Sequence, residues 1–215
     1  APDGYKIVGM DASGLEARML AHYMNDKDYT NEILHGDIHS ANQLATGVET
    51  RDQAKTFYYA FLYGAGDSKI GSIIGGTARD GKELKEKFLR NTPALRRLRE
   101  RVSMASGRGY ILGLDRRRVY VRSEHAALNT LLQSAGAIVM KKALALLDEY
   151  ATKWKLKYHF VGNIHDEIQT EVEQEKAEVF GRLACSCIEA AGLHFNLNCP
   201  LEGEYKVGYS WAETH

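Results

Sequence analysis

Two acidic motifs, MDASGLEARM around Asp11 and NIHDEIQ around Asp166, each set an aspartate at the end of a short apolar stretch, about 155 residues apart. Two strands that end this way can hold two divalent metals between them. Between the motifs, RDQAKTFYYAFLYGAG places Arg51, Lys55 and Tyr59 four residues apart. Each step advances about 400° around a helix, so the three side chains drift by only about 40° per step and share one face. Arginine forks onto phosphate oxygens, lysine acts as a movable point charge, and the tyrosine ring offers a face to a base or sugar. The helix N-terminus adds partial positive charge beside Arg51. Carboxylates for metal and a cationic face for a polyphosphate suit nucleotidyl transfer. Two metals about 3.5–4 Å apart neutralise the attacking oxygen, the leaving oxygen and the phosphate between them. Mg²⁺ prefers a few carboxylates completed by phosphate and water oxygens, so one aspartate from each of two strands is a sufficient protein share. Taken singly, a strand-end aspartate is ordinarily a turn residue or a cap, and a basic stripe is ordinarily a solvated face. Their conjunction in one chain points to the chemistry.

The elements that must position these groups can be read from periodicity. Tyr5 to Met10 reads as a strand and Ser13 to Met24 as a helix with Leu15, Met19, Leu20 and Tyr23 at near-helical spacing. His39 to Ala45 reads as a short helix. Thr50 opens the next, with Gln53 three residues on as a capping box, and that helix is expected to run to about Tyr63 and break at Gly64 to Gly66. A charged helix near residues 79 to 90 and another starting at Thr92-Pro93 make the middle region mainly helical. Tyr110 to Arg122 alternates apolar and basic residues about Asp115-Arg116, the pattern of a hairpin. Ala126 to Tyr150 reads as a long helix packed beneath a sheet. Tyr158 to Ile164 and Ile168 to Val172 read as strands joined tightly at His165-Asp166-Glu167, followed by a helix from Gln174 to Ala190 and a strand from Pro200 to Val207. No repeat or Pro-rich linker interrupts the chain, so a second lobe is an insertion rather than a tethered domain.

A length of 215 residues with 44% hydrophobic residues suffices for one large domain or two small ones. No run approaches the roughly 18 consecutive apolar residues of a membrane span, and no charged-then-apolar leader opens the sequence. Cys185, Cys187 and Cys199 are few, odd in number and without a C-x-x-C pair, so they read as core thiols rather than a disulfide framework. The net charge of zero conceals an asymmetry: residues 51 to 122 carry 17 Lys and Arg against 7 Asp and Glu, leaving 11 against 21 elsewhere. A basic middle suited to phosphates is thus flanked by acidic ends suited to metals.

In this order, the three motifs resemble the palm and fingers of polymerase-I-type (family A) DNA polymerases, most closely the replicative enzymes of short-tailed bacteriophages. The helix matches that family's R-x-x-x-K-x-x-x-[F/Y]-G, except that Ala60 stands where glycine is usual. The resemblance implies an α+β fold: a palm with a small antiparallel sheet backed by long helices, and a mainly helical fingers insertion. Residues 1 to 32 and 125 to 215 would be palm and residues 33 to 124 fingers. It implies two Mg²⁺ ions, replaceable by Mn²⁺, held by Asp11, Ala12 and Asp166, with Glu167 supporting the metal site. Primer-template DNA and a dNTP are the implied partners, the primer 3′-hydroxyl attacking the α-phosphate while pyrophosphate leaves toward Arg51 and Lys55. Rotation of the helix from Arg51 to Tyr63 would check the base pair by induced fit. No membrane is implied, and the setting would be the cytoplasm of an infected bacterial host.

Other roles carry bland alternatives. By the resemblance Glu16 excludes a ribonucleotide 2′-hydroxyl and bonds Tyr63, whereas Ser13-x-x-Glu16 also reads as a capping box. Tyr59, in a slot where phenylalanine also occurs, implies ready acceptance of dideoxynucleotides. His39, in a segment like the family's D-[I/L]-H, would contact the triphosphate or be an ordinary helix-start residue. His35 and His39 are spaced like zinc ligands, but Gly36 interrupts their helix and no acidic general base accompanies them. Asn129 and Gln133, four apart among apolar neighbours, would read the minor groove of primer-template or bond another helix. His165 would touch the primer end. The thumb and exonuclease domains of such enzymes have no counterpart in these residues, and the region from Ser103 to Leu114 is shorter than in phage relatives. The chain is therefore expected to be a fragment, weak in DNA binding because few phosphates are neutralised, and completed by a further domain or partner chain. A single-subunit RNA polymerase fragment and a catalytically silent nucleic-acid-binding module are the alternatives. Glu16, Tyr59 and His165-Asp166-Glu167 favour DNA over RNA, and the intact aspartate pair speaks against silence.

Overall fold

The computed structural model describes all 215 residues. The chain begins with β1 (Tyr5–Ala12), α1 (Leu15–Met24), α2 (Lys27–His35), α3 (Ile38–Thr46) and α4 (Arg51–Leu62). It continues through α5 (Asp67–Ile73), α6 (Ala78–Asn91), α7 (Pro93–Ser106), β2 (Tyr110–Leu112) and β3 (Arg118–Tyr120). The last elements are α8 (Ala127–Lys153), β4 (Tyr158–Ile164), β5 (Glu167–Glu173), α9 (Ala177–His194), β6 (Gly203–Gly208) and α10 (Trp211–Thr214). Two compact units result, Ala1–Met19 with Ala135–His215, and Leu20–Ser134, so α1 and α8 each contribute to both.

The first unit is built on an antiparallel sheet of order β4-β5-β1-β6. Its central strand β1 is buried from Ile7 to Met10 rather than in strict alternation, because both faces are covered. One cover is α9; the other is α10, which approaches so closely that a Cβ added at Gly9 would lie 2.5 Å from the Thr214 carbonyl oxygen. The buried Arg18 fastens α1 to the approach of β6: Nε donates to the Ser13 carbonyl, Nη1 to the Pro200 carbonyl and Nη2 to Glu202. The Pro200 carbonyl is committed there and proline has no N–H to give, so β6 begins at Gly203 rather than at Pro200 as the sequence suggested. Tyr158 ties β4 to α8 through a 2.6 Å hydrogen bond from its hydroxyl to Asp148. A register shift between Phe160 and Gly162 puts a bulge in β4.

By length and composition α8 could cross a membrane, which the absence of an unbroken apolar run had argued against. Its burial shows a core helix: Ala135, Val139, Ala143, Leu147 and Ala151, every fourth residue, are all fully buried. Cys187 and Cys199 are buried as expected, and Cys185 is half-buried; all three are free thiols.

The second unit is organised around α4. Phe57, Tyr58, Phe61 and Leu62 are buried on one side of it, and the Phe88 ring of α6 stands edge-on to Phe57 and Phe61 at 5.1 and 5.3 Å. Both halves of the expected capping box form: Thr50 Oγ1 accepts from the Gln53 N–H at 3.1 Å, and Gln53 Oε1 from the Thr50 N–H at 3.2 Å. Pro93 occupies the first turn of α7. The β2–β3 hairpin turns through Arg116 in the left-handed region, and the Arg118 guanidinium lies 4.9 Å from the Tyr110 ring. Helices α2 and α5 lack a legible apolar stripe: α2 buries only Tyr29 and α5 spans seven residues.

Candidate functional site

In the first unit, carboxylates converge at one end of the sheet. The register sets Asp11 opposite Glu167 of β5 and opposite Glu204 of β6. Asp166 is the second of two residues linking β4 to β5; the first, His165, has φ of 57°, a left-handed conformation unusual for a non-glycine residue. Desolvation and, next, the charge of Asp166, with smaller pushes from Glu204 and Glu167, raise the Asp11 carboxyl from 3.8 to about 6, against the opposing hydrogen bond from the Ala12 N–H. Asp11 still keeps an exposed edge, from which a cation can reach it. An anionic cluster of this kind is relieved by a divalent cation. No group of three or more His, Cys, Asp or Glu side chains is placed to hold a metal ion. Asp11 and Asp166 alone would supply the one or two carboxylates that Mg²⁺ takes, water and phosphate oxygens completing its shell.

Glu167 is occupied differently from its neighbour. It is buried, and its carboxylate accepts from Gln169 Nε2 at 2.6 Å and Trp211 Nε1 at 2.7 Å, with His215 Nδ1 at 2.5 Å. Burial alone would raise this carboxyl, but the bonds from Gln169, His215 and Trp211 outweigh it and hold it below the usual range. Ser13 departs from the capping-box reading. The Gly14 carbonyl accepts the Arg18 N–H, so Gly14 holds the cap position, while the Ser13 hydroxyl donates to Glu204 at 2.7 Å. Glu16 thus lies in the first turn of α1, one position short of the box.

The second unit gathers the other candidates. Arg51 and Lys55 are exposed on α4, Tyr59 is half-buried and Tyr63, just beyond the helix, is 52% exposed. The Tyr59 and Tyr63 rings stack at 6.4 Å, and the His39 ring lies 5.9 Å from Tyr59. Desolvation, then the positive charges of Arg51 and Lys55, lower the His39 pKa against the pull of Asp37, which favours neutral imidazole. His35 and His39 fall on separate helices, α2 and α3, on either side of Gly36. Asn129 is half-buried on α8, and Gln133, one turn further on, is exposed. A cavity of about 450 Å³ opens beside the Gly64–Gly66 turn, with Lys82, Lys85, Arg99 and His125 in its lining.

Sequence reading missed Asp37, which grips Arg51, Glu204, which completes the carboxylate cluster, and Trp211 with His215 around Glu167. Asp37 was visible as the first residue of the D-[I/L]-H segment, without a sign that it would pair with Arg51. Trp211 and His215 lie beyond the last element expected from the sequence, so nothing linked them to Glu167.

A family model described as DNA polymerase family A matches residues 1–213. The DNA-directed DNA polymerases of Enterobacteria phage T3 and Escherichia phage T7 are each 46% identical over 96% of this chain and 33% of their own length. That of Escherichia phage Phieco32 is 38% identical over all of this chain and 41% of its own length. The chain thus spans a third to two fifths of the length of these relatives. Among solved structures, the POL domain of Pol1 from M. smegmatis, in complex with DNA primer-template and dNTP, superposes with a TM-score of 0.87 over 99% of this chain and 41% of that one, at 24% identity. It shares the α+β fold expected from the sequence. This chain belongs to DNA polymerase family A.

Proposed function

We propose that this chain carries out template-directed DNA synthesis, transferring dNMP from a dNTP to a primer 3′-hydroxyl, in the cytoplasm of an infected bacterium. The observation that carries the reading is the pairing of Asp11 with Asp166 at one sheet end in a chain that also presents Arg51 and Lys55 on one face of α4. Residues 1 to 32 and 125 to 215 serve as palm and residues 33 to 124 as fingers.

Asp11, Ala12 and Asp166 are the residues that would hold Mg²⁺ or Mn²⁺. When bound, two such ions supply a Lewis acid for the attacking hydroxyl and charge neutralisation for the departing pyrophosphate. Arg51 and Lys55 receive the polyphosphate, Arg51 as a planar fork and Lys55 as a mobile charge. Neutral His39 donates one hydrogen bond to a phosphate oxygen. The Tyr59 and Tyr63 rings offer a flat apolar surface to base and sugar, and Glu16 excludes a 2′-hydroxyl by occupying its space. Asn129, Gln133 and His165 contact the primer-template. Glu167 stiffens the strand behind Asp166 through its buried bonds rather than acting on substrate.

Single-nucleotide primer extension with excess protein, Mg²⁺ or Mn²⁺, and matched dNTP, ddNTP and rNTP tests this reading, with Asp166→Ala as control. Addition of dNTP and ddNTP but not rNTP, abolished in Asp166→Ala, is expected. Preference for rNTP would move the chain to RNA synthesis, and addition that survives Asp166→Ala would remove the aspartate pair from the reaction.

A further inference from the structure

Arg51 is held by another side chain of its own unit. Its Nε donates to Asp37 Oδ2 at 2.5 Å and its Nη2 to Asp37 Oδ1 at 3.0 Å, a two-pronged pair. Asp37 is fixed independently of Arg51. As the N-cap of α3 it accepts from the His39 N–H at 3.0 Å, and it accepts from Ser40 Oγ at 2.8 Å. The carboxylate is therefore preorganised, and the flexible arginine docks onto it. A guanidinium has five N–H donors, of which Asp37 takes two, so the opposite edge remains available. Both partners are open to solvent, with side-chain exposures of 49% for Arg51 and 39% for Asp37, so an incoming anion can reach the pair.

We propose that Asp37 is an internal competitor for the polyphosphate: it positions the Arg51 guanidinium in the empty state, gives way in part when phosphate oxygens arrive, and recaptures Arg51 as pyrophosphate leaves. This rests on the nucleotide-binding reading of α4. The local charges support competition over simple scaffolding. Arg51 and Lys55 outnumber Asp52 at the start of α4 by one charge, and Asp37 at the cap of α3 offsets that surplus. A unit charge about 5 Å away in water-like surroundings is worth about fourfold in an equilibrium constant. Asp37 thus sets an affinity low enough for product release, which a bare Arg51 would impede.

The test is titration calorimetry of the full chain with inorganic tripolyphosphate, without metal, at two salt concentrations. Asp37→Asn keeps a residue suited to the N-cap and removes the charge; Asp37→Ser, also cap-competent, is the second variant, and circular dichroism checks folding. The expected result is binding tightened three- to tenfold in both variants, more at low salt than at high, and a distinctly smaller gain, from the direct charge repulsion alone, in an Arg51→Ala background. Unchanged or weaker binding in Asp37→Asn, while Arg51→Ala alone weakens binding, overturns the competitor role and leaves the nucleotide reading of α4 intact. No effect of Arg51→Ala on tripolyphosphate removes both.

Discussion

Asp11→Asn is expected to stabilise the protein in the absence of divalent metal. The Asp11 carboxyl rises from 3.8 to about 6 on folding, through desolvation and then Asp166, with Glu204 and Glu167 adding less. A raised carboxyl means that the folded state binds more protons than the unfolded state between these values, so stability falls as pH climbs through that window. The penalty is absent below about pH 4, where both states are protonated, and complete above about pH 6. A shift of about two units would correspond to about 3 kcal/mol if the group were sealed from water. Its exposed edge and solvent screening reduce that to about 1 kcal/mol. Asparagine has the same shape, keeps an oxygen for the Ala12 N–H and carries no charge. For a chain of this size about 1 kcal/mol moves the melting temperature by about 2–4 °C. Melting followed by circular dichroism in chelator should show Asp11→Asn above the parent by that amount at pH 7.5 and equal to it at pH 4. Adding Mg²⁺ should raise the parent and leave the variant unmoved. A variant less stable than the parent at pH 7.5, or an advantage that is the same at both pH values, would refute the account of Asp11 as a frustrated anion.

Thr50→Ala removes the hydroxyl that accepts from Gln53 and should cost about 1 kcal/mol, read as a lower melting temperature with amide exchange accelerated in the first turn of α4. Trp211→Phe leaves the buried Glu167 carboxylate one donor short and should cost about 1–3 kcal/mol in urea unfolding; no loss would mean that solvent replaces the indole there. Gly81→Ala, a change that favours an exposed helix by about 1 kcal/mol, should here destabilise by about 2 kcal/mol. Its Cβ would fall 2.0 Å from the Asp67 carbonyl oxygen, forcing α5 from α6, and a rise in melting temperature would contradict that packing.

What the sequence disclosed was what is local. The face shared by Arg51, Lys55 and Tyr59, the Thr50–Gln53 box and the proline that opens α7 depend on neighbours within a turn or two of helix, and each formed. The Asp11–Asp166 relation is distant in the chain, yet legible because each residue ends an apolar strand and a family pattern links them. Hidden features were those in which one side chain chooses among remote partners. Arg51 could have faced solvent, and only the cap geometry of α3, fourteen residues upstream, brings Asp37 to it. Glu204 joins the carboxylates because β6 pairs with β1 in one register, which alternation alone does not select. Ser13 matched the capping pattern and still failed to cap, because Glu204 competes for its hydroxyl and the helix starts one residue later.

The bulge in β4 bears on the outer edge of the sheet. β4 is an outer strand of the sheet and exposes Phe160, Val161 and Ile164, the kind of apolar edge that invites a strand from another molecule. A visiting strand needs an unbroken row of donors and acceptors in register. The extra residue between Phe160 and Gly162 breaks that row at its middle and increases the local twist, so neither half is long enough to template a neighbour. The irregularity thus makes this edge a poorer template for a strand from another molecule than its apolar side chains alone would suggest.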